Sequence, residues 1–163
     1  MNNMTDLRIT TFEVRALPQH RLDAIRRAGV DEFGNEVEVT TVSEPGAPLR
    51  CCLREAPTGE RVALIAWCPF EQPGPYAEVG PVFIHADRCD GYTDGRSYPE
   101  GYRHREQIFR SYGPDGRIVD AEIVSGALAE PAIGRLLARP EVAFIHSRNV
   151  TYGCHMFEIR TAR

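Results

Sequence analysis

The longest apolar stretch of the chain runs only from Val62 to Phe70, with the sequence VALIAWCPF. A helix that crosses a membrane needs about 20 apolar residues, so this stretch predicts no membrane span. Apolar residues at consecutive positions over 62–68 also indicate that both faces of the segment are covered. We therefore predict an interior strand over residues 62–68, around which the other elements must be arranged.

A chain of 163 residues, 42% of them hydrophobic and 26% charged, has the length and composition of one globular domain. We predict a single domain over residues 1–163. The net charge of −4 does not favour nucleic-acid binding, which needs a basic face. The N-terminal residues MNNMTD lack the basic and apolar regions of a signal peptide, so we expect a cytosolic protein.

Two short helices are predicted. The first covers residues 18–28 and ends at Gly29, and the second covers residues 129–139 and is stopped by Pro140. Strands are predicted over residues 7–17, 37–42, 49–53, 62–68, 79–86, 104–112, 117–124, 142–146 and 152–160. Strands outnumber helices too heavily for a regular alternation of the two. We predict an α+β fold with a mostly antiparallel sheet of about eight strands.

Pro81 and the segment 87–103 add two further predictions. Pro81 favours an edge or a bulge for the strand over residues 79–86, because proline lacks an amide hydrogen. Residues 87–103 show no periodicity and contain three tyrosines. A structureless connection of that length is unusual in a compact domain and is often functional.

The candidate ligand-binding residues come from two places in the sequence. One is the predicted strand end and loop start at His85 and Cys89. The other is the segment Arg148, Asn149, Cys154 and His155. Arginine offers a planar fork of donors that matches carboxylate or phosphate, and asparagine can cap a turn. As neighbours on a predicted strand, Cys154 and His155 should face opposite ways.

Thiol chemistry provides two alternatives. A nucleophilic Cys89 or Cys154 could use His85 or His146 as its base. Folding could also assemble a His/Cys metal site from His85 and Cys89, with further ligands from His104, His146, Cys154 or His155. The spacing lacks the short ligand pairs typical of zinc sites, so no metal, catalytic residue or cofactor is assigned. Cys51 and Cys52, adjacent on a predicted strand, should point to opposite faces.

Four stretches carry a likeness to a known family. They are DEFGN at 31–35, LRCCL at 49–53, PYAEVGPVFIHA at 75–86 and VAFIHSRN at 142–149. In these stretches the chain resembles the bacterial family called domain of unknown function 1203, whose members are single domains of about this length. The resemblance implies a shared fold and a bacterial source, and it implies no activity.

We predict from these patterns a small ligand-binding or interaction domain for a polar or anionic small molecule. The ligand should lie near Arg148, Asn149 and the loop 87–103. The thiol enzyme and the His/Cys metal protein remain the alternatives, and the sequence indicates neither a nucleic-acid partner nor an oligomeric state.

Overall fold

A computed structural model describes residues 11–163, so residues 7–10 of the first predicted strand lie outside the described part. The strands are β1 (Phe12–Arg15), β2 (Glu38–Thr41), β3 (Ala47–Leu49), β4 (Arg54–Ala56), β5 (Arg61–Trp67), β6 (Gly80–His85), β7 (Glu106–Tyr112), β8 (Ile118–Ser125), β9 (Phe144–Asn149) and β10 (His155–Thr161). The helices are α1 (Gln19–Ala28) and α2 (Ala129–Leu137), with single 3-10 turns at Glu100–Tyr102 and Gly126–Leu128.

The strands form two sheets of five, in the orders β1-β10-β9-β7-β8 and β2-β5-β6-β3-β4. The prediction of α+β with mostly antiparallel pairing is confirmed, since β3 and β6 are the only parallel pair among the strands of residues 11–163. The prediction of one sheet of about eight strands is wrong. Alternation of apolar and polar residues shows which face of a strand is buried but not which strand lies beside it. Each sheet covers its own apolar core.

The second sheet is continuous in sequence, and the first is not. Residues 38–85 contain all of β2 to β6. The first sheet instead combines β1 with β7 to β10, and β1 pairs antiparallel with β10 at the other end of the described chain. The second sheet is therefore inserted between the first strand and the remaining strands of the first sheet.

The interior position of β5, between β2 and β6, agrees with the prediction for residues 62–68. The edge position predicted from Pro81 is wrong, because β6 is the middle strand of its sheet. The pairing of β3 with β6 joins only Leu49 and Phe83 and does not include Pro81. The missing amide hydrogen of Pro81 therefore removes no hydrogen bond from that pairing.

Both predicted helices are present. α1 begins after Pro18 and ends at Gly29, whose φ of 69° is left-handed. α2 packs Ile133 and Leu136 into the core of the first sheet. Across residues 11–163, no helix is both long and apolar enough to cross a membrane.

Residues 49–53 form a tight turn and not the predicted strand. The Leu53 amide donates to the Leu49 carbonyl at 3.0 Å, and Leu53 adopts a left-handed φ of 57°. This conformation is strained for a leucine, so packing around the turn must hold it. Leu53 belongs to the core of the first sheet and Cys51 to the core of the second, so the turn joins the two.

Arg50, in the middle of this turn, is 1% exposed and ties the turn to the first sheet. Its Nε donates to the His155 carbonyl at 2.8 Å, and its Nη1 donates to the Pro48 carbonyl. The Tyr102 hydroxyl donates to the Leu49 carbonyl at 2.9 Å, and its ring stacks on Phe157. The turn is thus fixed from both sides by buried hydrogen bonds.

A matched pair of glycine substitutions tests the packing of the first sheet. A Cβ atom at Gly126 would overlap the Arg103 carbonyl, whereas a Cβ at Gly134 would meet no atom within 4 Å. We expect Gly126→Ala to lower the free energy of unfolding by about 1–3 kcal/mol. Gly134→Ala should raise it by about 0.5–1 kcal/mol, because alanine favours a helix interior. Urea unfolding measures both, and a Gly126→Ala protein as stable as the parent would contradict this packing.

Candidate functional site

Three thiols and one imidazole converge where the 49–53 turn meets the end of β6. The side-chain ligand atoms of Cys51, Cys52, His85 and Cys89 all lie within 4.8 Å of one another. We refer to these four residues as the Cys–His cluster. Because residues 49–53 turn and do not extend, the adjacent Cys51 and Cys52 present both thiols to His85, contrary to the opposite orientations expected on a strand.

Three distances inside the Cys–His cluster are close to the edges of a zinc tetrahedron. The Cys51 and Cys52 sulfurs are 3.9 Å apart, and His85 Nδ1 lies 3.3 Å from the first and 3.6 Å from the second. Zinc–sulfur bonds of about 2.3 Å and zinc–nitrogen bonds of about 2.0–2.1 Å give tetrahedral edges of about 3.8 Å and about 3.6 Å. Cys89 Sγ lies within 4.8 Å of the other three ligand atoms, near enough to complete the set.

The second ring nitrogen of His85 is held from outside the cluster. His85 Nε2 lies 2.7 Å from Glu60 Oε1, and Arg54 pairs with both oxygens of Glu60. Arg54 Nη2 is also 2.9 Å from His85 Nε2, but an arginine is only a donor and already has the carboxylate as acceptor. A proton on Nε2 that points to Glu60 leaves the Nδ1 lone pair facing the thiols, as in carboxylate–histidine–metal triads.

The thiols of the cluster differ in acidity. The hydrogen bond that Cys51 donates to Cys52 raises the pKa of Cys51, and burial raises it further. The same bond lowers the pKa of Cys52. Burial raises the pKa of Cys89. The His85 amide also donates to Cys51 Sγ at 3.2 Å. Of the three thiols, Cys52 is the first to lose its proton and become available as a thiolate ligand.

Gln19 of α1 joins the two segments that supply the thiols. Its Nε2 donates to the Cys51 carbonyl at 3.0 Å, and its Oε1 lies 3.9 Å from Cys89 Sγ. Gly91 has a φ of 77°, and a Cβ there would come within 3.1 Å of the Gln19 side chain. The start of the loop 87–103 is therefore positioned by direct packing against α1.

The candidates from the second segment lie elsewhere, at the β9–β10 hairpin. Arg148, Cys154 and His155 line a cleft of about 190 Å³, which we call the Arg148 cleft. Cys154 and His155 both line it, against expectation, because Cys154 precedes β10 and the strand register shifts after His155. Asn149 does not line it, and its Oδ1 accepts the amides of residues 151 and 152 in the turn.

Charged and polar groups crowd the Arg148 cleft. Arg148 is 4% exposed, donates to the Gly153 carbonyl at 2.9 Å and forms an ion pair with Glu78. His155 is buried, and its Nδ1 has no hydrogen-bond partner among residues 11–163. Burial lowers the pKa of His155 well below its usual range, and the nearby charges of His146 and Arg148 act in the same direction.

The loop 87–103 contributes to the Cys–His cluster through Cys89 but does not line the Arg148 cleft. Its Tyr98 and Tyr102 are instead buried in the core of the first sheet. Of the other histidines considered as ligands or bases, His104 is paired with Glu55 on the surface. His146 is packed against Phe70 and Tyr112 and is paired with Glu158.

The structure thus assigns five of the six predicted ligand-binding residues to the Cys–His cluster or to the Arg148 cleft. It brings His85 and Cys89 together and adds Cys51 and Cys52, which the sequence interpretation had left out. It brings Arg148, Cys154 and His155 together and assigns Asn149 to a turn. The sequence signal for Cys51 and Cys52 is their adjacency within the LRCCL stretch. Two adjacent thiols can face the same ligand atom only where the stretch forms a turn.

Comparison with known proteins confirms the family resemblance. The family model described as Protein of unknown function (DUF1203) matches residues 46–161, a range that includes the Cys–His cluster and the Arg148 cleft. The search of curated proteins and the search of solved structures found no match. The chain therefore belongs to the DUF1203 family.

The buried histidine of the Arg148 cleft should make stability depend on pH. Its pKa in the folded state lies below the value of about 6.5 in the unfolded chain, so the unfolded chain binds the proton more readily. The contribution of neutral His155 to the free energy of unfolding is present above about pH 6.5 and is lost as the pH falls below that value. We expect the free energy of unfolding to drop there by up to about 1.4 kcal/mol per pH unit for this group.

The variant His155→Gln should show a shallower slope between pH 7.5 and pH 5.5 in urea unfolding. His20→Gln is the matched control and should leave the slope unchanged, because His20 is exposed on α1 and forms no ion pair among the described residues. The remaining titrating groups are common to all three proteins. Equal slopes for the parent and His155→Gln would contradict the assignment of a neutral buried His155.

Proposed function

We propose that this DUF1203 protein binds one divalent zinc ion through Cys51, Cys52, His85 and Cys89. The observation that carries the proposal is the convergence of four ligand atoms within 4.8 Å, with the distances among Cys51, Cys52 and His85 close to the edges of a zinc tetrahedron. The proposal takes up the His/Cys metal alternative of the sequence interpretation and extends its ligand set by Cys51 and Cys52.

The donor set supports zinc over harder metals. Three thiols and one imidazole are soft to borderline ligands, which suit zinc, whereas magnesium and calcium prefer oxygen. Four protein ligands fill a tetrahedron and leave no position for a water or a substrate, which is typical of structural zinc sites. We therefore assign the ion a structural role and give it no catalytic step.

The surroundings of the cluster support a bound ion with three thiolates. Zinc with three thiolates carries a net charge of −1, and two guanidinium groups lie close by. The hydrogen bond from Cys51 and the positive charge of Arg54 both act to lower the pKa of Cys52. Burial raises the pKa of Cys89, and the positive charge of Arg26 opposes that rise. Arg26 Nε also donates to the His85 carbonyl at 3.1 Å. These charges favour the ionised ligands that a metal requires.

The structural role of the zinc ion is to cross-link three segments of the chain. The ligands come from the turn between β3 and β4, the end of β6 and the start of the loop 87–103. A metal bond between these segments stabilises the folded chain, because no preformed site exists in the unfolded chain. A cytosolic location belongs to the proposal, since reduced thiols are needed as ligands and all five cysteines are free.

Metal content tests the proposal directly. Protein purified without a metal-affinity step should contain one zinc ion per chain by elemental mass spectrometry. Cys52→Ser and Cys89→Ser should each lower the zinc content at least tenfold under dialysis against a weak chelator. Cys68→Ser is the matched control, because Cys68 lies outside the cluster with its thiol toward the Phe70 carbonyl. It should retain the full zinc content.

Cobalt(II) substitution keeps the test independent of folding defects in the variants. The parent protein with cobalt(II) should show thiolate-to-cobalt charge-transfer absorption and the intense visible bands of tetrahedral cobalt. Cys89→Ser should weaken the charge-transfer band by about one third, since two of three thiolates remain. A folded parent protein that binds neither zinc nor cobalt(II) would overturn the proposal.

A further inference from the structure

We infer that the Arg148 cleft is a binding site for a small carboxylate, separate from the proposed metal site and independent of it. The cleft is lined by Arg148, Cys154 and His155 of the β9–β10 hairpin, by Trp67 at the end of β5, and by Glu78 and Pro81 near the start of β6. Its volume of about 190 Å³ suits an acid of a few carbon atoms and is smaller than ordinary drug-sized pockets.

One buried cation lines the cleft with only a half-exposed counter-charge. Arg148 is the buried guanidinium group of the lining. Arg50 is buried behind the lining, where its Nη2 lies 3.0 Å from Cys154 Sγ and its other donors reach backbone carbonyls. Among the described residues, Glu78 is the only acidic one that lines the cleft, and its side chain is 49% exposed. A buried cation with such a partner favours an anionic ligand in the cleft.

The Arg148 guanidinium is also incompletely satisfied. Its Nη2 is paired with Glu78 Oε1 without hydrogen-bond geometry, and its Nε has no hydrogen-bond partner among the residues that the structure describes. Glu78 is 49% exposed and is shared with Arg110, which lies 3.2 Å away. A buried arginine with free donors is costly unless acceptors reach it. The Glu78 carboxylate occupies the acceptor position beside Arg148. Because Glu78 is half-exposed, its carboxylate can move into solvent and the carboxylate of a ligand can take that position.

A second unpartnered polar group lines the same cleft. His155 is more than nine-tenths buried, and its Nδ1 has no partner within the described part of the chain. The rest of the lining includes the apolar rings of Trp67, Pro69 and Pro81. Charged donors on one wall and apolar rings on another fit a short-chain carboxylate, whose oxygens face Arg148 and whose carbon atoms face the rings.

The two alkylating reagents iodoacetate and iodoacetamide test this inference, because they differ mainly in the carboxylate. The ratio of their labelling rates at Cys154 cancels the intrinsic reactivity of the thiol. Trypsin cleaves after Arg148 and Arg160, so mass spectrometry follows Cys154 in a peptide with no other cysteine. We expect the iodoacetate-to-iodoacetamide ratio to be at least fivefold higher in the folded protein than in the urea-unfolded chain.

Two substitutions should move that ratio in opposite directions. Glu78→Gln removes the competing carboxylate and should raise the ratio at least twofold. Arg148→Met should lower it to the value of the unfolded chain. Glu71→Gln is the matched control on the same segment, because Glu71 is exposed and does not line this cleft. It should leave the ratio unchanged. If Arg148→Met does not fold, the change in labelling ratio caused by Glu78→Gln still tests the inference.

Competition identifies the chemical class. Propionate should slow the labelling of Cys154 by iodoacetamide at least threefold, and inorganic phosphate should slow it less. Equal ratios in folded and unfolded protein, no response to Glu78→Gln, or a Cys154 that neither reagent reaches would each overturn the inference. Protection by phosphate and not by propionate would overturn the assignment to carboxylates. Zinc content measured on the same samples keeps this result separate from the test of the metal site.

Discussion

Burying a guanidinium group costs several kcal/mol unless its donors find acceptors, and the chain meets this constraint at Arg50. The side chain lies almost wholly inside the protein, yet its acceptors are two backbone carbonyls and a thiol. Arg50 thereby holds the 49–53 turn against the start of β10. Cys51 and Cys52 follow it directly in sequence, and Cys154 and His155 are the groups that it touches. The geometry of both sites therefore depends on this one side chain.

The sequence contained most of the secondary structure but not its assembly. The helices were found because Gly29 and Pro140 end apolar patterns of helical period. The division into two sheets was not found, because strand alternation carries no information on neighbours. Pro81 is tolerated in a middle strand because the pairing of β3 with β6 does not include it.

The sites show the same limit at the level of single residues. His85, Cys89, Arg148, Cys154 and His155 were selected from residue type and position alone, and each lies in one of the two sites. Cys51 and Cys52 were set aside because residues 49–53 have the apolar pattern of a strand. The conformation that brings them together includes a leucine at a left-handed φ, for which no glycine or asparagine gives a signal. Tertiary packing decided this position, and a local pattern could not.

The pairing of β1 with β10 has a consequence for the order of folding. A ribosome that has released residues 38–85 has released every strand of the second sheet, which can close with contacts that are near in sequence. The first sheet cannot be completed then, because the partner of β1 consists of residues 155–161. Contacts between such distant residues form slowly. During synthesis β1 must therefore stay unpaired until β10 has been made, and β10 is the strand that completes the first sheet.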